Sequence, residues 1–223
     1  MGTLYIVATP IGNLEDITFR AIEVLKRVDY VLCEDTRVTG KLLARYGIKN
    51  KLVSFNEFNE DIKSGGVINN LVDGQSITLI SDSGSPLISD PGYKLVRDAI
   101  TKNIMVESIP GPSAAICALT VSGKPPDKFM FLGYLPKKEK RRKELLDKVK
   151  SILDSIQTSI IIYESPYRLI KTLKDIGEVF GDIEIAICRE LTKLHEEVRR
   201  EKVSASIDHF SKTTPRGEFT LVF

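Results

Sequence analysis

The chain has 223 residues, enough for one large or two modest domains with a substantial apolar core. Its 42% hydrophobic and 28% charged content is ordinary for a globular protein, and its apolar runs are too short to cross a bilayer. The formal net charge of +2 excludes a strongly basic or acidic chain, while three scattered cysteines and two histidines exclude a disulfide framework and a His-rich metal site.

Apolar, β-branched runs alternate with amphipathic runs through the first half of the chain. The predicted strands are Leu4–Ala8, Tyr30–Cys33, Leu52–Phe55, Ile77–Ile80 and Met105–Ile109; the predicted helices are Thr18–Arg27, Val38–Tyr46, Ile62–Leu71, Gly92–Lys102 and Ser113–Val121. This alternation predicts right-handed crossovers and a mostly parallel sheet. Because the N-terminus reads as a strand rather than a leader, we expect a cytoplasmic protein with no membrane segment.

A break at Ser122-Gly123-Lys124-Pro125-Pro126-Asp127 divides the chain into predicted domains 1–122 and 123–223, since proline pairs stop helices. The second half contains predicted strands Phe129–Leu132, Ser159–Tyr163, Ile183–Cys188, Glu197–Val203 and Phe219–Phe223, with helices Lys140–Leu153, Pro166–Ile176 and Ala205–Phe210. Its late strands are joined by segments too short for parallel pairing throughout, so this sheet should be mixed. We therefore expect two α/β domains with an inter-domain cleft.

Two small, polar loops follow neighbouring predicted strands of the first half. One runs from Ser81 to Gly92, and the other is Pro110-Gly111-Pro112-Ser113-Ala114. Loops at the carboxyl ends of strands are where α/β proteins place ligands, so the pair predicts the walls of one pocket. The loop after the first strand, Thr9–Asp16, is not GxGxxG and contains a proline, which argues against a dinucleotide site.

Charged groups follow several other strands. Glu34, Asp35 and Arg37 follow the second strand, where Asp35 or Thr36 is expected to cap the next helix. Polar turns also occur at 163–168, 188–193 and 215–219 in the second half. Each turn alone is explained by a helix cap or an ion pair, but their number at strand ends favours a functional site.

A basic run, Lys137–Lys143, follows the strand at 129–132. A solvated helix start explains it as well as a phosphate-binding surface does. Crowded cations at a helix N-terminus oppose the helix dipole, which tilts the interpretation towards an anionic partner such as nucleic acid.

Taken in order, these segments resemble the bacterial 16S ribosomal RNA (cytidine 2′-O)-methyltransferases, a family of the tetrapyrrole methylase-like (class III) superfamily. The resemblance rests on Tyr5–Leu14, Glu34–Arg37, Ser81–Tyr93, Pro110–Ala115, Gly133–Pro136, Tyr163–Pro166, Arg189–Lys193 and Gly217-Glu218, which together span nearly the whole chain. It implies a homodimer that binds S-adenosylmethionine between its domains, needs no metal and methylates a decoding-centre cytidine in 16S ribosomal RNA or the small ribosomal subunit.

The resemblance also implies roles for individual residues. The cofactor contacts would be Ile11, Asp82, Ser83, Gly84, Ser85, Ile88, Ser113, Ala114, Tyr163, Arg189 and Pro215. The candidate bases follow from the chemistry instead: a ribose hydroxyl is a poor acid that a nearby carboxylate helps as the bond forms, and the candidates are Glu34, Asp35 and Glu190. The expected RNA contacts are Arg37, Lys137, Lys138, Lys140, Arg141 and Arg142.

This sequence departs from the family pattern in two ways. Asn56, Phe58 and Tyr167 stand where members often have histidine, so a histidine base is not expected there. Many members also continue beyond the last strand, so RNA affinity would come from the basic run instead. Two alternatives stay open: a tetrapyrrole or other small molecule as methyl acceptor, and an RNA-binding protein without catalytic activity.

Overall fold

The structure, a computed structural model, describes residues 1–223 and divides into two compact units, residues 1–113 and 114–223. The first unit contains the strands β1 (Thr3–Val7), β2 (Tyr30–Cys33), β3 (Leu52–Ser54), β4 (Ile77–Ile80) and β5 (Met105–Ile109). Its helices are α1 (Phe19–Arg27), α2 (Thr36–Arg45), α3 (Glu60–Val72) and α4 (Tyr93–Thr101). The strand order is β3-β2-β4-β1-β5, with every neighbour parallel.

The first sheet is buried on both faces. Alternate residues of a strand point to opposite faces, so Leu32 packs with the core under α3 and α4, whereas Val31 packs with the core under α1 and α2. This two-sided burial explains why β2 and β4 are continuous apolar runs rather than alternating ones. The sheet's carboxyl edge consequently presents several loops side by side.

The second unit contains α5 (Ala114–Ser122), β6 (Phe129–Tyr134), α6 (Glu139–Leu153), β7 (Ser159–Glu164), α7 (Leu169–Phe180), β8 (Glu184–Arg189), β9 (Glu197–Lys202), α8 (Val203–Lys212) and β10 (Phe219–Val222). Its strand order is β6-β7-β10-β8-β9. Only β6 and β7 pair in parallel; the other pairs are antiparallel. Helices α6, α7 and α8 share one core with this sheet, while α5 packs on β7, β8 and β10.

The predicted fold class is confirmed: the first sheet is parallel, the second is mixed, and every predicted strand and helix is present. The structure divides the chain at Ser113 rather than at residue 122, because α5 packs its buried Ala118 and Leu119 within the second unit. Helix α1 is capped by Thr18, whose side chain accepts a hydrogen bond from the Ala21 N–H. No helix combines the length and apolar character needed to cross a bilayer.

Candidate functional site

Three loops at the carboxyl edge of the first sheet are held together by hydrogen bonds. Thr9, just after β1, exchanges backbone hydrogen bonds of 2.8 and 3.2 Å with Gly84 in the loop after β4. The buried Thr9 hydroxyl donates to the Ser81 carbonyl at 3.1 Å. The Ser85 hydroxyl donates to the carbonyl of Pro112, after β5, at 3.2 Å. Two of the sequence-predicted loops, 81–92 and 110–114, therefore do lie side by side.

The loop between β4 and α4 has an unusual backbone. Leu87 and Ser89 have φ angles of 70° and 69°, a region that residues with a Cβ rarely occupy. The Ser81 hydroxyl donates to the Gly84 carbonyl at 3.1 Å, which closes the first turn of the loop. Such backbone strain persists only where the surroundings impose it, and it is concentrated at ligand-binding sites.

The loop after β2 is tied to the same loop by reciprocal contacts. The Asp35 N–H donates to the Asp82 carboxylate at 3.1 Å, and the Asp82 N–H donates to the Glu34 carboxylate at 3.4 Å. Asp35 is also the N-cap of α2 and binds the Arg37 side chain at 2.6 Å. These contacts bring Glu34, Asp35 and Asp82 together, and they give Asp35 a structural role as helix cap and ion-pair partner.

The carboxylates of this edge differ in their affinity for protons. Burial raises the pKa of Glu34 and of Asp82, and neighbouring carboxylates raise both further. Burial and then the charge of Glu34 raise the pKa of Asp90 to about 7. Hydrogen bonds from Arg37 lower the pKa of Asp35 to about 2. Sequence reasoning missed Asp90, although it lies in the same loop, because only folding brings it near Glu34.

The remaining predicted residues of the first unit lie close to these loops. Ile11 is buried, and a Cβ added to Gly84 would stand 3.3 Å from the Ile11 side chain. Within the central loop Ser83 and Ile88 are exposed, while Ser113 is partly buried beside Pro112. No set of three or more His, Cys, Asp or Glu side chains is arranged to hold a metal ion.

In the second unit, the predicted residues gather where β7 and β8 end on either side of β10. Thr220 of β10 pairs with Tyr163 on one side and with Cys188 on the other. The Tyr163 ring makes an edge contact with Phe131, with ring centroids 4.8 Å apart. Arg189 donates to the Arg216 carbonyl at 2.6 Å, which brings Arg189 close to the turn that contains Pro215.

Glu190 holds two turns of the second unit together. Its carboxylate accepts hydrogen bonds from the Glu218 N–H at 2.9 Å and from the Lys193 ammonium at 3.0 Å. Gly217 leaves the room for it, because an added Cβ would stand 2.5 Å from the Glu190 carboxyl carbon. Burial acts to raise the pKa of Glu190, but the Glu218 and Lys193 contacts outweigh burial and lower it.

The basic run divides into exposed and buried members. Four cations are exposed and form no ion pair: Lys137, Lys138, Lys140 and Arg141. Arg142, by contrast, is 4% exposed and binds Asp175 at 2.5 Å. Its guanidinium also donates to the carbonyls of Pro136 and Lys137. Arg142 therefore has a structural role in place of the predicted RNA contact, because its guanidinium N–H groups are already hydrogen-bonded within the protein.

The chain matches the family model described as tetrapyrrole (corrin/porphyrin) methylases over residues 3–206. Curated relatives named "Ribosomal RNA small subunit methyltransferase I" are similar along its length. The Thermotoga maritima protein is 49% identical over 222 residues, covering 100% of this chain and 98% of the relative. The Bacillus subtilis protein is 46% identical over 222 residues, covering 100% of this chain and 75% of the relative.

Solved structures share the fold at low sequence identity. The uroporphyrin-III-C-methyltransferase from Thermus thermophilus superposes with a TM-score of 0.67 at 20% identity, covering 100% of this chain and 94% of that one. A diphthine synthase gives a TM-score of 0.74 at 13% identity, covering 100% and 89%. The linked loops, the shared fold and the match over residues 3–206 lead to one conclusion: the chain belongs to the tetrapyrrole (corrin/porphyrin) methylase family.

Proposed function

We propose that this protein methylates the ribose 2′-hydroxyl of a decoding-centre cytidine in 16S ribosomal RNA, with S-adenosylmethionine as methyl donor. The observation that carries the proposal is the near-half identity over essentially the full chain with proteins named as small-subunit ribosomal RNA methyltransferases. The organised loop edge of the first unit supports it, because seven of the eleven residues that the resemblance assigns to the donor belong to or lie next to these loops: Ile11, Asp82, Ser83, Gly84, Ser85, Ile88 and Ser113.

The chemistry of that edge fits S-adenosylmethionine. The donor carries a sulfonium and an ammonium group, and the carboxyl groups of Asp82 and Asp90 belong to this loop, where a bound cation would favour their ionised form. Small residues at Ser83, Gly84 and Ser85 let a ligand approach the backbone closely. S-adenosylmethionine supplies a methyl group that its sulfonium already activates. The protein's tasks are therefore alignment and exclusion of water.

Two sets of residues are proposed to hold the donor. In the first unit they are Ile11, Asp82, Ser83, Gly84, Ser85, Ile88 and Ser113. In the second unit they are Ala114, Tyr163, Arg189 and Pro215. That both sets serve one bound donor stays a prediction.

Glu34 is the proposed proton acceptor for the ribose hydroxyl. A general base works best when its pKa lies near the working pH, and the pKa of Glu34 is raised whereas those of Asp35 and Glu190 are lowered. Neither Asp35 nor Glu190 has its carboxylate free, since Arg37 and Lys193 bind them. Replacing Glu34 by Gln should therefore lower kcat about 100-fold or more while donor affinity stays close to the wild-type value.

The substrate RNA is proposed to contact Arg37 and the four exposed cations of the 137–141 segment. A ribosomal substrate would place the protein in the cytoplasm. A homodimer is also proposed, as the family resemblance implies, and the exposed apolar side chains of Phe58 and Ile62 are candidates for its contact surface. Light scattering tests the dimer: a mass near 24.9 kDa at micromolar concentration would contradict it.

The deciding experiment incubates the protein with labelled S-adenosylmethionine and small ribosomal subunits from cells that lack the modification. Mass spectrometry of the digested RNA should locate one new 2′-O-methylcytidine. A matched reaction with uroporphyrinogen tests the second candidate, a tetrapyrrole acceptor, which the family description favours. Label in the tetrapyrrole and none in RNA would overturn the proposal.

A further inference from the structure

One aromatic side chain of the second unit stands exposed beside the basic run. Tyr167, in the turn two residues before α7, is 91% exposed. Isolated apolar or aromatic residues on a surface are common, so exposure alone decides nothing. What distinguishes Tyr167 is how firmly its backbone is placed and which charges surround it.

The start of α7 is fixed against the segment that leads into the basic run. Arg168 donates to the Leu135 carbonyl at 2.7 Å and to the Glu164 carboxylate at 3.0 Å. The Glu164 carboxylate is fully buried and also accepts from Thr172 at 2.5 Å. These contacts hold Tyr167, the residue before Arg168, near Leu135. Leu135 lies two positions before Lys137, the first exposed lysine of the basic run.

Helices α6 and α7 lie side by side and run in the same direction, because they follow the parallel strands β6 and β7. Along their contact, Lys143 forms ion pairs with both Glu139 and Glu178. Lys171, one turn after Tyr167, is exposed and lies near Glu139. The amino-terminal ends of the two helices therefore present unpaired cations with one aromatic ring among them.

We propose that Tyr167 stacks on an unpaired base of the substrate RNA while Lys137, Lys138, Lys140, Arg141 and Lys171 hold the neighbouring phosphates. Single-stranded RNA is recognised in this way, by aromatic rings for bases and by cations for the backbone. The proposal deepens the proposed function and rests on it for the identity of the RNA. A second copy of the chain is a poorer occupant, because a two-fold contact would bring these same cations face to face.

The test measures binding of fluorescent single-stranded RNA, and of an abasic strand of the same length, across a range of salt concentrations. Tyr167→Ala should weaken binding of the RNA roughly 5- to 150-fold, with little change in the salt dependence. Tyr167→Phe keeps the ring and should bind like the wild type. Lys138→Gln should lower the slope of log affinity against log salt by about 1.

Three results would overturn the inference: unchanged RNA affinity of Tyr167→Ala, an equal loss on abasic RNA, or a fall in oligomer mass that marks the site as a contact between copies. Phe19→Ala, which removes another 91% exposed ring, is the matched control and should change nothing. RNA binding is measured without S-adenosylmethionine, so the stacking role of Tyr167 and the proposed methyltransferase function can be contradicted independently. If the wild-type protein methylates ribosomal RNA but Tyr167→Ala binds RNA normally, only this inference fails. If Tyr167→Ala loses affinity for RNA but not for the abasic strand, and the wild-type protein methylates no RNA, only the proposed function fails.

Discussion

Asp90 shows how a single carboxyl can lose its usual acidity within a polar loop. It is half-buried and faces the charge of Glu34, which together raise its pKa from 3.8 to about 7. Its sequence context, Ser89-Asp90-Pro91-Gly92, predicts only a turn. The proximity of Glu34 comes from the pairing of β2 with β4, and no local pattern shows it.

The first prediction concerns how the free energy of unfolding depends on pH. A carboxyl with a higher pKa in the folded state binds protons more tightly there, so its contribution is complete below pH 3.8 and is lost as the pH rises through about 7. Asp90→Asn should remove part of this loss of stability between acidic and neutral pH. Its denaturant midpoint should change less than that of the wild type between pH 5 and pH 8, whereas the exposed control Asp73→Asn should follow the wild type. Identical pH profiles for all three proteins would contradict the assignment.

The second prediction separates chemistry from positioning at Glu190. Its carboxylate is bound by the Glu218 N–H and by Lys193, and its pKa is lowered, so it is poorly suited to accept a proton. Glu190→Gln should therefore raise KM for the donor several-fold and leave kcat within a few-fold of the wild type. A loss of about 100-fold or more in kcat with unchanged KM would make Glu190 the base instead.

At the scale of elements, the sequence predicted more than it did at the scale of residues. Apolar, β-branched runs and helical patterns located each strand and helix to within a few residues, because both sheets are buried by helices that carry clear apolar faces. Arg142 shows the limit. Its spacing from Leu146 and Val149 puts it on the apolar face of α6, but its charge makes it read as one more member of the basic run, and the buried partner Asp175 is supplied only by the packing of α6 on α7.

The third prediction compares two adjacent arginines of α6. Arg142→Ala leaves the Asp175 carboxylate buried with Lys143 3.8 Å away as its remaining partner, so unfolding should become easier by about 3–5 kcal/mol. Arg141→Ala, at an exposed position, should change stability by no more than about 0.5 kcal/mol. Denaturation curves measure both. If Arg141→Ala also lowers the salt dependence of RNA binding, the two side chains have separate roles as proposed; equal destabilisation by both would contradict the structure.

At the scale of the whole molecule, each unit has its own apolar core. The second unit's core lies between its mixed sheet and α6, α7 and α8, while α5 covers the other face with Ala118 and Leu119. The break that begins at Ser122 and contains the Pro125-Pro126 pair placed the predicted division after residue 122, since α5 reads locally as a continuation of the first half. Which sheet a helix covers depends on tertiary contacts. This explains why the boundary in the structure lies nine residues before the predicted one.

The fourth prediction tests that division. A fragment of residues 114–223 retains its core and α5, so it should fold alone and unfold cooperatively. A fragment of residues 123–223 lacks the helix that covers Ile161, Ala186 and Val222, and its denaturation midpoint should be lower. Circular dichroism with urea titration compares the two. Equal midpoints would favour the boundary that the sequence suggests.

The hydrogen bonds between Thr9, Gly84 and the Ser85–Pro112 pair have a consequence for how a ligand arrives. All of them are bonds within the protein, so the loop between β4 and α4 is held in its shape by its own chain rather than by a ligand. A preorganised loop loses little conformational entropy on binding. The amides of Thr9 and Gly84 should consequently exchange with deuterium slowly when no donor is added. Thr9→Val deletes the hydroxyl contact, so it should both speed that exchange and weaken donor affinity.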